Sequence, residues 1–377
     1  MSAFGIYVHW PYCAAICPYC DFNVYRARGG ENAPLLGAIE ADLAAHAARF
    51  GKRQAQSLFF GGGTPSRLTG GEIARLIDAA GRAFTLASDC EITIEANPED
   101  RALFADQAAA GINRFSIGAQ ALDDAALKAL GRKHDAKQAI KAVESAARTG
   151  ARVSLDLIYA REGQSVADWM QELRRALSLP IEHASLYQLT IEPNTAFARK
   201  FARGALQAPG DEHAAALYEA TQEFCAAAGF PGYEISNHAL NADARARHNL
   251  LYWRGGDWAG IGPGAHGRIT HRCARLALEA HRRPADYIEA VTANGVGWIS
   301  ETALSSQESA DEMLLMGLRI DEGADLARVN ALRQAPVNQA TLGWLAEQGL
   351  VATEAGRVRL TPRGRPLANR IVAELAV

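Results

Sequence analysis

Runs of β-branched and aromatic residues alternate with alanine-rich stretches of helical period from residue 5 to residue 190 of this 377-residue chain, and that alternation restricts the fold more than any other feature. Strands are expected at 5–10, 56–60, 90–96, 114–119, 152–159 and 184–190, with helices at 34–50, 71–84, 99–110, 123–130, 136–149 and 166–179. Repeated βα units imply a parallel sheet with right-handed crossovers. Six or more such units imply a partial or complete (β/α) barrel of the TIM type. The residues able to do chemistry fall just past the expected strand ends: a cysteine cluster, the segment 61–64, Glu95, Gln120 and Asp156. In parallel α/β barrels that edge carries the active site, so one site assembled from several loops is expected on one face.

The rest of the chain is less regular. A helix is expected at 209–229, an irregular strand at 233–238 and a further strand at 275–281. Between them lie His248-Asn249-Leu250-Leu251-Tyr252-Trp253 and a glycine-rich stretch at 260–267. The character changes near residue 284, so residues 1–283 are read as the barrel and 284–377 as a smaller helical, winged-helix-like domain. Its expected parts are helices at 306–320 and 338–348, a β-wing at 350–353 and 357–360, and a last helix opened by Thr361-Pro362. Winged helices often bind DNA, but fold alone does not assign function. A formal net charge of −3 argues against a nucleic-acid partner, which calls for a basic face.

Hydrophobic residues make up 49% of the chain, enough for a full core. No apolar run reaches the length of a membrane span, and the opening Met-Ser-Ala-Phe-Gly-Ile-Tyr lacks a secretory pattern. A reducing cytoplasm suits the six cysteines, which are too sparse for a disulfide scaffold. Cys13, Cys17 and Cys20 stand apart from the others at C-x3-C-x2-C spacing on an expected loop. A redox pair at Cys17 and Cys20 leaves Cys13 unexplained. A structural zinc site needs a fourth ligand, for which His9 is the nearest candidate. A four-iron cubane held by three thiolates keeps one iron open to another ligand.

The spacing after a short strand resembles the signature of radical S-adenosylmethionine (SAM) proteins. The wider phrase Tyr7-Val8-His9-Trp10-Pro11-Tyr12-Cys13 is similar to the branch that includes oxygen-independent coproporphyrinogen III oxidase and its heme-chaperone relatives. The resemblance implies a 4Fe-4S cluster on Cys13, Cys17 and Cys20, with the amino and carboxylate groups of SAM on the fourth iron. It implies SAM-site roles for Tyr7, for Gly62, Gly63 and Thr64 of the glycine segment, and for Glu95, Gln120, Arg132 and Asp156. One departure follows Asp156-Leu157-Ile158-Tyr159. Where the family usually shows Gly-Leu-Pro-Gly-Gln, this chain has Ala160-Arg161-Glu162-Gly163-Gln164.

The segment from His248 to Trp253 resembles an H-N-x-x-Y-W segment of the heme-chaperone members. It implies a heme site at His248, Tyr252 and Trp253, an imidazole for the iron beside aromatics for the macrocycle, with Arg245 and Arg247 close enough in sequence for propionates. Phe22 stands where the oxidase has a fourth cysteine, and only twelve residues precede Cys13. Both features favour a chaperone that hands heme to an apo heme-protein, in solution or at a membrane, without coproporphyrinogen oxidase activity. The alternatives are that oxidase itself and a DNA-binding regulator. Monomer and homodimer are both open.

Overall fold

The computed structural model describes residues 3–333 and 336–376. The first half is built of β1 (Phe4–Trp10), α1 (Asn32–Phe50), β2 (Gln54–Gly62), α2 (Gly70–Ala83), β3 (Thr85–Ala96), α3 (Phe104–Ala109), β4 (Arg114–Gln120), α4 (Asp124–Ala129), α5 (Ala136–Arg148), β5 (Arg152–Tyr159), α6 (Val166–Leu177) and β6 (His183–Gln188). Strands β1 to β6 pair in chain order, all parallel, as the alternation requires. Their residues are buried on both faces, Ile6, Val8, Leu58, Phe60, Ile94 and Leu155 among them, because helices cover the outer side. The helix starts follow local chemistry. Thr69 with Glu72, and Asp135 with Gln138, form reciprocal capping boxes at α2 and α5.

Next come α7 (Ala196–Ala202), α8 (Asp211–Ala227), β7 (Asn237–Ala239), α9 (Arg247–Trp253), β8 (Asp257–Ile261), β9 (His266–His271), β10 (Ala274–Ala280), α10 (Pro284–Asn294) and β11 (Trp298–Ala303). β8 joins the parallel sheet on the free side of β1, and β9, β10 and β11 continue it antiparallel. The eleven strands run β11-β10-β9-β8-β1-β2-β3-β4-β5-β6-β7. β11 and β7 end the sheet without pairing to each other, so the barrel is partial.

Three expectations change. Residues 99–110 split into a 3-10 turn, Pro98–Leu103, and the short α3. There Asp100 accepts from the Ser66 hydroxyl and the Gln107 amide donates to the Ser66 and Leu68 carbonyls, so partners outside the segment override its helical period. The 260–267 stretch joins two strands, which its glycines concealed. A side chain at Gly260 would come within 2.1 Å of the His266 carbonyl oxygen, so close pairing requires the glycine. Finally, the sheet runs past residue 283. α10 packs on α1, and β11 pairs with β10, so the expected border at 283/284 moves to about residue 304.

Beyond it a separate core gathers Leu314, Leu318, Val329, Leu342, Val351, Val358 and Ile371. It is formed by α11 (Ser306–Gly317), α12 (Leu326–Arg333), α13 (Gln339–Glu347), α14 (Ala368–Leu375) and a small sheet of β12 (Ala324–Asp325), β14 (Arg357–Leu360) and β13 (Val351–Glu354), in that spatial order. Among the described residues no helix is long and apolar enough to cross a membrane.

Candidate functional site

The C-terminal ends of the parallel strands open into a cavity of about 900 Å³. It is lined by Cys13, Cys17, Cys20, Gly62, Gly63, Thr64, Glu95, Gln120, Arg132 and Asp156, so ten expected residues from five loops meet in one place. The cysteine loop is tied to the barrel by its backbone. The Gly63 and Thr64 amides donate to the Trp10 and Tyr12 carbonyls, and the Tyr25 and Ala27 amides to those of Pro11 and Cys13. The Phe197 amide at the start of α7 donates to Pro18.

The glycine segment lines the cavity and also braces its surroundings. Its amides are spent on the protein, since that of Gly62 donates to the Glu95 carboxylate at 2.9 Å and the next two hold the cysteine loop. Gly62 has φ +105°, and a side chain there would overlap the His9 ring at 2.4 Å. The segment therefore positions Glu95 and the loop.

Glu95 sits beside Asp156 at the bottom of the cavity. Burial pushes the Glu95 carboxyl up to about 7, opposed by the Gly62 amide and reinforced by the Asp156 charge. Burial likewise lifts Asp156 to about 6, against the Ser116 hydroxyl that donates to it. Gln120 takes a left-handed backbone, φ +69°, where the β4–β5 register slips. Strain of this kind marks a position held for its side chain, which here reaches the cavity. Tyr7 lies behind the lining, with its hydroxyl 2.9 Å from His9 Nδ1.

Arg132 donates to Cys17 Sγ at 3.4 Å, to Asn97 Oδ1 at 2.7 Å and to the Gly118 carbonyl. Burial pushes the Cys13 thiol up and that of Cys20 to about 11, so neither ionises readily until a positive centre takes it. All three thiols are free. Among the described residues no three His, Cys, Asp or Glu side chains stand close enough for a single metal ion. His9 is not a fourth ligand, because its Nδ1 meets Tyr7 and its Nε2 meets the Asn23 carbonyl at 2.9 Å. The zinc alternative loses its donor, and the chemistry of the three thiols and Arg132 fits the 4Fe-4S cluster.

The segment from His248 to Trp253 is a helix at the opposite end of the strands. His248 is 1% exposed, and its ring lies against Phe59. Its Nδ1 is 2.8 Å from the Ser57 hydroxyl, its Nε2 2.7 Å from the Tyr252 hydroxyl, and burial pulls its pKa down to about 3. Trp253 packs beside Tyr233 and Leu250 and under the Arg319 guanidinium. None of His248, Tyr252 and Trp253 reaches the cavity. Arg245 is held by Asp321 at 2.7 Å and Arg247 by Asp89 at 2.8 Å. The segment on which the heme site is expected therefore lies apart from the cavity. Both ring nitrogens and both guanidinium groups are already engaged, and the segment plugs the barrel floor.

Sequence reasoning missed Asn97, Ser116, Tyr187 and Arg365, which also line the cavity. Asn97 and Ser116 carried a usable signal, because they lie on or just past expected strands next to named residues. Arg365 carried none, because it comes from the second domain.

A model of the radical SAM superfamily matches residues 7–176, and one of the HemN C-terminal domain matches residues 304–367. Heme chaperone HemW proteins are among the relatives. The one of Mycobacterium tuberculosis is 37% identical over 99% of this chain and 94% of its own length. The one of Bacillus subtilis is 33% identical over 97% of each. The chain belongs to the HemW family of radical SAM proteins. The bovine radical SAM domain-containing protein 1, mitochondrial, is 40% identical over 85% of this HemW-family chain and 74% of its own. The solved structure of coproporphyrinogen III oxidase (HemN) from Escherichia coli covers 100% of this chain and 90% of its own at a TM-score of 0.84 with 21% identity, which shows the shared fold.

Proposed function

We propose that this HemW-family chain is a heme chaperone: it carries a 4Fe-4S cluster and SAM, and passes heme to an apo heme-protein without oxidising coproporphyrinogen III. The observation that carries this reading is the end-to-end similarity to Heme chaperone HemW, 37% over 99% of the chain. Phe22 supports it, standing 63% exposed at the cavity where the oxidase resemblance calls for a further thiol.

In this reading Cys13, Cys17 and Cys20 hold the cluster and Arg132 steadies the thiolate of Cys17. The Gly62 amide aims Glu95 at the amino group of SAM, and Gln120 and Asp156 complete the wall of its pocket. When bound, cluster and SAM together supply one-electron chemistry. Tyr7 and His9 brace the cysteine loop through the Asn23 carbonyl.

The test is anaerobic reconstitution followed by two assays on one preparation. Titration with hemin should give a saturable Soret shift, and transfer to an apo heme-protein should follow. Incubation with coproporphyrinogen III, SAM and a reductant should give no protoporphyrinogen IX. Product formation with SAM consumption overturns the chaperone reading in favour of the oxidase.

A further inference from the structure

Three arginines line the cavity, and two are committed. Arg132 serves Cys17, Asn97 and Gly118. Arg319 is paired with Glu234 at 3.1 Å and covers Trp253 at 4.9 Å. Arg365 differs. It is half-buried, it belongs to the turn before α14, and it makes no salt bridge among the described residues. Its guanidinium meets neutral groups, the Gln222 side-chain oxygen at 3.5 Å, the Gly232 carbonyl at 3.3 Å and the nearby Tyr218 hydroxyl. A guanidinium withdrawn from water without a counter-charge is costly unless an anion joins it. The same cavity exposes Ile16, Phe22 and Tyr187, which are 52%, 63% and 44% exposed despite their apolar surface. Apolar surface beside a cation that has no carboxylate in salt-bridge range suits an amphiphile, flat and apolar over most of its area and carboxylated at an edge.

We propose that Arg365 receives a propionate carboxylate of heme, so that the C-terminal domain holds the charged edge of the ligand while Ile16, Phe22 and Tyr187 cover its apolar face. This rests on the heme-chaperone reading and adds the place and the specificity residue that the barrel floor does not provide. The arrangement also gives the C-terminal domain a part in loading and release, since loss of the Arg365 contact frees the edge of the ligand. The acidic Glu192 and Asp211 also line the cavity. They disfavour additional carboxylates, which sharpens preference for a ligand that presents few of them.

The experiment titrates the reconstituted full chain with hemin and with hemin dimethyl ester, whose propionates carry no charge. Arg365→Ala should weaken hemin binding about tenfold or more, as expected for losing a charge-assisted hydrogen bond, and leave the ester unchanged. Arg365→Lys should recover part of the loss for hemin. Unchanged ester binding by Arg365→Ala doubles as the check that the cavity is still formed. Equal weakening of both ligands, or no change in either, overturns the proposal while the chaperone reading stands. If the wild type binds neither ligand, the chaperone reading falls and this inference with it.

Discussion

The two ends of the barrel carry the same kinds of side chain and leave them in opposite states. At the floor, Glu91 is 4% exposed and accepts from Arg114 Nε at 2.9 Å and from the first amides of α9, those of Arg247 and His248. His248 has a partner on each nitrogen. At the mouth, Glu95 and Asp156 stand side by side with raised pKa values, Gln120 is strained, and Arg365 lacks a carboxylate. A polar group whose bonds are complete stabilises the fold and has little left for a ligand. A group held incomplete by its surroundings is available for binding or proton transfer. For Glu91 and His248 against Glu95 and Arg365 the difference lies in partners, although the floor also keeps Arg114 Nη1 and Trp253 Nε1 buried without one.

The largest effect should come from the mouth. Cys20→Ser should abolish most of the iron and sulfide recovered after anaerobic reconstitution, whereas Cys225→Ser, buried within α8, should leave both intact. Equal metal content in the two variants would end the division between mouth and interior. At the floor, His248→Ala should cost about 2–4 kcal/mol in denaturant unfolding, because it opens a cavity and strands Ser57 and Tyr252. Hemin affinity of the folded variant should not move. A lost or shifted Soret band would put the ligand back on the floor.

Glu95 makes the comparison pH-dependent. Its folded pKa of about 7 lies above the ordinary carboxylate value. The protonated form is therefore favoured in the folded state, and stability should fall as pH rises from about 4.5 towards 7. Glu95→Gln should raise the unfolding free energy at pH 8 by on the order of 1–2 kcal/mol, leave it nearly level at pH 4, and weaken SAM binding in calorimetry while cluster iron is retained. The same pH profile in variant and wild type would show that Glu95 is satisfied like Glu91. The smallest effect concerns Ala160, buried with φ +59° at the place where the family has glycine. Relief of the left-handed strain by Ala160→Gly should raise stability by roughly 0.5–1 kcal/mol, read as a shift in denaturant midpoint. A loss would mean that the Ala160 methyl packing outweighs the strain. The altered loop is held in part by Arg161, which pairs with Glu172 on α6.

Local pattern made β1 to β6 and, apart from the 99–110 segment, their helices legible, because burial on both faces selects β-branched runs and capping residues mark helix starts. The spacing of Cys13, Cys17 and Cys20 was legible for the same reason, as neighbours in one loop stay neighbours when folded. The strands around Gly260 were hidden, since close backbone approach removes the side chains that announce a strand. The role of His248 was hidden too. Its partner Ser57 lies 191 residues away, and nothing near either one in sequence signals the pairing.

By itself, then, the amino-acid sequence determined the alternation, the parallel order of the strands, the edge on which the loops would gather and the family. Tertiary structure alone decided which polar groups find partners. It gave Arg245 to Asp321, Arg247 to Asp89 and His248 to Ser57 and Tyr252, and left Arg365 facing the cavity without a carboxylate. Period and spacing report the direction in which a side chain points along its own element. Whether a bond waits there depends on a second element brought in from far along the chain.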